Sequence, residues 1–345
     1  MRLPQEYLDC VVFICSPGER KRPDGTAFFV SVPDEVEPHI EWIYLVTANH
    51  SLDEISGQRV VVRVTATQGG HLEHLSTRKD DWFRHDLADV AVLPIPNPEV
   101  YKFRSLPLFM FIDRDYHWIP HQIGANYERS IKHRYNSLAV PVELGDQVFF
   151  PGLFVQSAGQ NRNLPIFRFG NISRMPGDEL VRIHTRLGDL KIRAYLTEAH
   201  SWGGHSGSPV IWYHEFHTKE NLPSDEQDSV SNPRLHLTGL LGLVSAHFDI
   251  PIPTTGIPSK LETKLNSGIA VITPSENIRE LLMRDDVRAD RVRLSDRSRR
   301  EAEEQQAATA DSALTSKEKN RDIPIPPITR KKFFSDLSKA TGRKS

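Results

Sequence analysis

The stretch Gly203-Gly204-His205-Ser206-Gly207-Ser208-Pro209 constrains this chain more than any other. Two glycines lead into a serine, and a glycine, a small residue and a proline follow it. Such a run makes a tight exposed turn: glycine lets backbone N–H groups face a ligand with no Cβ in the way, and the serine sits at the apex. Pro209 closes the turn and sends the chain into an apolar strand, Val210-Ile211-Trp212. A glycine-rich turn alone makes no site, because a hydroxyl is a weak nucleophile without a base and a group that orients the base. Both occur upstream. Tyr44-Leu45-Val46-Thr47-Ala48-Asn49-His50 is an apolar strand running into a histidine, and Asp89-Val90-Ala91-Val92-Leu93 places an aspartate at the head of another strand.

These segments resemble the chymotrypsin/trypsin-like serine peptidases. G-x-S-G-x-P is similar to the family's nucleophile turn, T-A-x-H to its histidine signature and D-V-A-V-L to its aspartate strand, in the order His, Asp, Ser. Gly242-Leu243-Val244-Ser245 resembles the G-[IV]-V-S strand that lies beside bound substrate. Leu144 to Gly152 resembles the G-D-x-V-x-x-x-G segment, and Ser267 to Pro274 resembles the final strand of bacterial trypsin-like peptidases without disulfides. Together these segments span most of residues 9–284.

The resemblance implies an all-β fold of two antiparallel six-stranded β-barrels, residues about 9–110 and 136–274, with the active site between them. A short helix over 275–284 completes a peptidase domain of residues 1–284. The implied activity is that of a serine endopeptidase cleaving protein or peptide substrates through an acyl-enzyme, with no cofactor and no metal. Ser206 would attack, His50 would carry the proton and Asp89 would hold the imidazole, while the N–H groups of Gly204 and Ser206 would form the oxyanion hole. Asp86 is the competing carboxylate, but only Asp89 has the D-V-A-V-L strand immediately after it. Ser201 and Ser208 lack the preceding G-x pair. A protease-fold protein that binds peptides by strand addition and turns them over negligibly is the alternative, and an esterase would use the same three residues.

In the family the substrate pocket is walled by the stretch before the nucleophile and by the strand around Ser245, which makes His200, Ser245, Ala246 and His247 the implied substrate-binding residues. Relatives that cut after Lys or Arg carry an aspartate where this chain has His200, so basic specificity is not expected. Acidic side chains beside a protonated imidazole, or small and apolar ones beside a neutral imidazole, remain the alternatives. His205 stands where zymogen-activated relatives carry an aspartate that pairs with a new N-terminus, so activity is expected without N-terminal cleavage. Ala246-His247 replaces the usual Trp-Gly.

Composition narrows the setting. With 345 residues and a net charge of −2, the chain gives no bulk electrostatic reason to bind nucleic acid or a membrane surface. Its two cysteines, Cys10 and Cys15, would point to opposite faces of one strand, so a bridge between them is not expected. The lack of further cysteines and of an apolar leader points to a reducing, cytoplasmic location. His71 with Glu73 and His74, His117 with His121, and His214 with His217 read as exposed loop histidines rather than metal ligands, since none has a third ligand at a diagnostic spacing.

The polar segment 113–136 is expected to cross between the barrels, and Lys219 to Pro233 to form a surface loop. Ser275 is the expected N-cap of the final helix, with Ile278, Leu281 and Leu282 as its apolar stripe. Residues 285–345 alternate charge with little apolar content and read as a disordered tail. Within it, Phe333, Phe334, Leu337 and Ala340 share one face of an expected helix over 329–344 for docking a partner protein.

Overall fold

Runs of β-branched and aromatic residues, apolar on both faces, make most of the strands. The computed structural model describes residues 3–18, 23–37, 39–118, 131–132, 139–185, 188–199, 204–217, 234–251 and 264–294. The expected loop at 219–233, most of 113–136, and the tail from 295 onward with its docking helix lie outside the described residues.

The N-terminal half supplies β1 (Val11–Cys15), β2 (Pro23–Pro33), β3 (Glu41–Thr47), β4 (Arg59–Thr65), β5 (Leu72–Arg78), β6 (Phe83–Arg84), β7 (Ala91–Pro94) and β8 (Leu106–Pro107). They form one sheet in the order β5-β4-β1-β2-β3-β7-β6, with β8 parallel beside β2. The expected first barrel is therefore not closed by hydrogen bonds. Its end strands, β5 and β6, follow each other directly in the chain across a 3₁₀ turn at Lys79–Asp81, and β6 is only 2 residues long. Most of β5 is exposed or half-buried, so no apolar face drives that edge to pair.

After the short pair β9 (Tyr116–Trp118) and β10 (Ala139–Pro141), the chain enters a true barrel. Its strands are β11 (Gln147–Gly152), β12 (Ile166–Arg174), β15 (Tyr195–Glu198), β16 (Pro209–His217), β17 (Arg234–Pro251) and β18 (Lys264–Pro274), closed in the order β11-β12-β15-β18-β17-β16. The hairpin of β13 (Val181–Thr185) and β14 (Gly188–Ile192) pairs only with itself.

Three apolar clusters explain why the strands lack simple alternation. Val12, Ile14, Phe29, Leu45 and Val62 fill the hollow of the open sheet. Val148, Phe150, Trp212, Leu241 and Ile272 fill the barrel. Phe13, Phe28, Tyr44, Phe149, Ile211 and Leu243 meet between the halves, so successive residues of β1 and β11 serve different cores.

Two helices matter here. α1 (Asn49–Glu54) follows β3 directly, and α2 (Ser275–Met283) follows β18. Ile278, Leu281 and Leu282 are fully buried, as expected. Ser275 is not the cap: Pro274 holds that position, and the Ser275 hydroxyl donates instead to the Ile112 carbonyl at 2.8 Å. A buried carbonyl brought within reach by tertiary packing takes the hydroxyl that local sequence would give to the helix end.

Cys10 and Cys15 are both buried free thiols. His117 is not the exposed loop residue expected: it lies on β9, is 4 % exposed, and packs 5.6 Å from the Trp212 ring. Burial alone pushes its pKa down to about 4. Among the described residues no helix is long and apolar enough to cross a membrane. The chain divides into compact units of Met1–Ala289 and Asp290–Ser345; residues 285–294, expected to open a disordered tail, are helical instead, with Val287 fully buried in the apolar cluster that also holds Ile278 and Leu282.

Candidate active site

Strand pairing brings His50 and Asp89 together. β3 and β7 run antiparallel with Thr47 opposite Ala91 and Val46 opposite Val92, so the residues just after β3 and just before β7 share one end of the sheet. His50 enters there on the first turn of α1, and Asp89 sits two residues ahead of Ala91. Asp89 is 1 % exposed and makes two bonds to one residue. Its Oδ1 accepts the backbone N–H of His50 at 2.9 Å, and its Oδ2 accepts Nδ1–H of the same residue at 2.7 Å. A carboxylate can only accept, so this bond fixes the tautomer: Nδ1 carries the proton and Nε2 offers its lone pair. Burial disfavours the imidazolium, yet the hydrogen bond and charge of Asp89, aided by Glu54 and Asp53, hold the His50 pKa above its ordinary value. Arg84 pins α1 by donating to Asn49 and Asp53, each at 2.7 Å.

Asp86 goes elsewhere. Its side chain is 86 % exposed and lies 3.8 Å from Arg284.

The serine turn is docked on the N-terminal half by its backbone. Thr26 N–H donates to the Ser206 carbonyl at 3.0 Å, and Thr26 Oγ1 donates to the Gly204 carbonyl at 2.8 Å. Thr26 Oγ1 also accepts Leu153 N–H at 3.1 Å, which ties β2, the turn and the end of β11 through one hydroxyl. Gly207 has φ +83°, and a Cβ there would stand 2.1 Å from the Thr26 carbonyl, 2.5 Å from Thr47 Oγ1 and 3.1 Å from Ala48 N. Gly207, after Ser206, thus lies against the Thr-Ala pair that leads into His50, and no side chain fits. That contact gives the T-A-x-H and S-G motifs a common steric reason. Gly204 has φ +98°, in the left-handed region, as a turn that aims successive N–H groups at one point requires. Ser206 itself is half-buried at the apex, whereas Ser208 is fully buried beneath it. Ser201 lies outside the described residues.

The pocket residues fare differently. His200 and Gly203 lie outside the described residues. Ser245 is the extra residue of a β-bulge between Val244 and Ala246, and its hydroxyl is buried against Thr273 Oγ1 at 2.5 Å. Ala246 packs on the cluster formed by Val181, Ile183 and Val271, while half-buried His247 sits opposite Ala270. The Ser245 and Ala246 side chains thus have packing partners within the fold. β16 pairs with β17 only as far as Leu243, so it does not cover the Ser245–Phe248 stretch of β17. A cavity of about 740 Å³ opens beside the end of β15, lined by Phe169, Gly170, Glu198, Ala199 and Gly268.

Three residues of the site went unread in the sequence. Thr26 was legible only as a polar residue inside an apolar strand. Gly152 carries a clearer mark: a Cβ there would lie 2.1 Å from Ser208 Oγ and 3.0 Å from His205 Cδ2. Arg168 is the third, donating from Nε to His205 Nε2 at 2.8 Å.

No protein-family model matches the sequence, and no curated protein matches it. Solved structures do. The MamO protease domain from Magnetospirillum magneticum is similar over 82 % of this chain and 100 % of its own, at 15 % identity and a TM-score of 0.45. The active form of the Rv3671c protease from M. tuberculosis covers 80 % of each chain at 14 % identity and a TM-score of 0.38. Human heparin binding protein covers 82 % of this chain and 93 % of its own, at 12 % identity and a TM-score of 0.39. All three are trypsin-like protease folds.

Proposed function

We propose that the chain is a serine endopeptidase acting through His50, Asp89 and Ser206. The observation that carries this reading is the buried Asp89 carboxylate bonded to both the backbone and the Nδ1 of His50, which leaves Nε2 as the base. An ordinary structural ion pair has no need of a fixed tautomer at the edge of a glycine-built serine turn. Ser206 Oγ attacks the scissile carbonyl while His50 takes its proton; His50 then returns the proton to the leaving amine, and water hydrolyses the acyl-enzyme. Asp89 stays ionised and stabilises the imidazolium. The N–H groups of Gly204 and Ser206 receive the developing oxyanion, and the loss of one such donor costs on the order of 3 kcal/mol of barrier. The part of β17 that β16 does not cover supports an extended polypeptide as the substrate, bound by strand addition.

A fluorophosphonate probe tests the assignment. It should label Ser206 in the native chain, and Ser206→Ala should abolish both labelling and peptide hydrolysis, with a fall of roughly 10⁶-fold in turnover. Undiminished hydrolysis by pure Ser206→Ala protein would reject the reading.

A further inference from the structure

Resting on that reading, we infer that Arg168 and His205 form an internal anchor that sets the oxyanion-hole peptide, making Arg168 a positioning residue for the reaction. His205 immediately precedes the nucleophile and is 0 % exposed. Its Nε2 accepts the Arg168 Nε–H at 2.8 Å, from a strand 37 residues earlier in sequence. A guanidinium has donors only, so Nε2 must carry the lone pair and Nδ1 the proton. The ring is boxed in on two further sides, edge-on to Phe150 at 6.4 Å and against the Gly152 backbone. Phe150 and Arg168 are direct cross-strand partners of β11 and β12, so the ring and its donor share one wall of the barrel mouth.

The consequence follows from the planarity of the peptide bond. In a trans peptide the carbonyl of one residue and the N–H of the next point in opposite directions. The His205 carbonyl accepts Ser208 N–H at 2.8 Å, which turns Ser206 N–H the other way. The Gly204 carbonyl is held by Thr26 Oγ1, so the peptides on both sides of the His205 Cα have fixed planes. The side chain is a third tether on the same Cα, and Arg168 holds it by a directed, charge-assisted bond. Loss of that bond loosens the buried ring, and any shift of the His205 Cα that follows carries the Ser206 N–H with it.

The experiment compares Arg168→Met, which keeps length but has no donor, with Arg168→Lys, which keeps a donor. On a peptide substrate Arg168→Met should lower kcat about 10²-fold, the scale of a lost oxyanion donor, with KM within about twofold of wild type. Arg168→Lys should recover most of that loss. Nitrogen NMR of the wild-type ring should show His205 protonated at Nδ1 and not at Nε2. An unchanged kcat in a folded Arg168→Met variant, equal losses in both variants, or a proton on Nε2 would each overturn the inference. Failure of the wild-type chain to react with fluorophosphonate would instead overturn the peptidase reading beneath it.

Discussion

Replacing Asp89 by Asn tests the base in its most exacting form, because the two bonds to Asp89 dictate what the amide must do. Asp89 Oδ1 is committed to the backbone N–H of His50 at 2.9 Å, so the Asn carbonyl oxygen takes that place. Its NH₂ then occupies the position of Oδ2, 2.7 Å from Nδ1. A donor facing Nδ1 forces the ring proton onto Nε2, the nitrogen that must accept from Ser206. The expected loss in kcat is on the order of 10⁴-fold, about 5.5 kcal/mol of barrier. The pH profile carries an independent signature. His50 acts as a base only when neutral, so activity falls as pH drops through its pKa. In the native chain the Asp89 bond and charge hold that pKa above 6.5 against the opposing effect of burial. With Asn the Asp89 bond and charge are gone and only Glu54 and Asp53 still oppose burial, so the acid limb of kcat/KM moves to lower pH. Stability follows the same sign. The raised folded pKa means that the His50–Asp89 interaction stabilises the fold fully below about 6.5 and is lost as pH rises through the folded value. The destabilisation by Asp89→Asn is therefore larger at pH 5.5 than at pH 8.5. Residual activity above a tenth of wild type, or an acid limb that does not move, would refute the reasoning.

Thr26→Val keeps the shape of the side chain but strands the Gly204 carbonyl and the Leu153 N–H, both of which use that hydroxyl. The expected cost is about 1–3 kcal/mol in urea unfolding, together with a fall in kcat, and Thr26→Ser should restore both. His117 supplies an acid-sensitive element away from the site. Its folded pKa of about 4 lies below the 6.5 of the unfolded chain, so the unfolded state binds the proton first and stability drains as pH falls between those values. The loss reaches about 3 kcal/mol near pH 4, and His117→Gln should flatten the urea midpoint over that interval.

The segments around His50, Asp89 and Ser206 stood out because each is a short contiguous run of distinctive residue types, although the partners they meet are far apart in the chain. Gly207 must be glycine for a reason written in the Thr47-Ala48 pair it touches, and both halves of that contact were visible as motifs. Arg168 was not legible, since nothing in Ile166-Phe167-Arg168-Phe169 points to a partner 37 residues away. The bulge at Ser245 was hidden for a related reason. One inserted residue in a strand reverses the face that a side chain takes, and a bulge leaves no mark in composition. The open edge of the N-terminal sheet was equally hidden, because closure depends on what β5 and β6 meet, not on what they are. His117 shows the converse: a lone histidine in a polar stretch looked solvated until tertiary packing set it against Trp212.

The docking of the serine turn on Thr26 has a bearing on when the chain acquires its reactivity. A ribosome delivers residues from the N-terminus, so Thr26, His50 and Asp89 leave the tunnel long before Ser206. His50 and Asp89 can meet while the barrel is still being made, before Ser206 has reached them. Conversely, a barrel released on its own would hold Ser206 in a loop whose Gly204 and Ser206 carbonyls have lost their donors. On the proposed mechanism, reactivity would thus belong to the assembled pair of halves and to neither alone, and a nascent or half-unfolded molecule would carry no working nucleophile to turn against its neighbours.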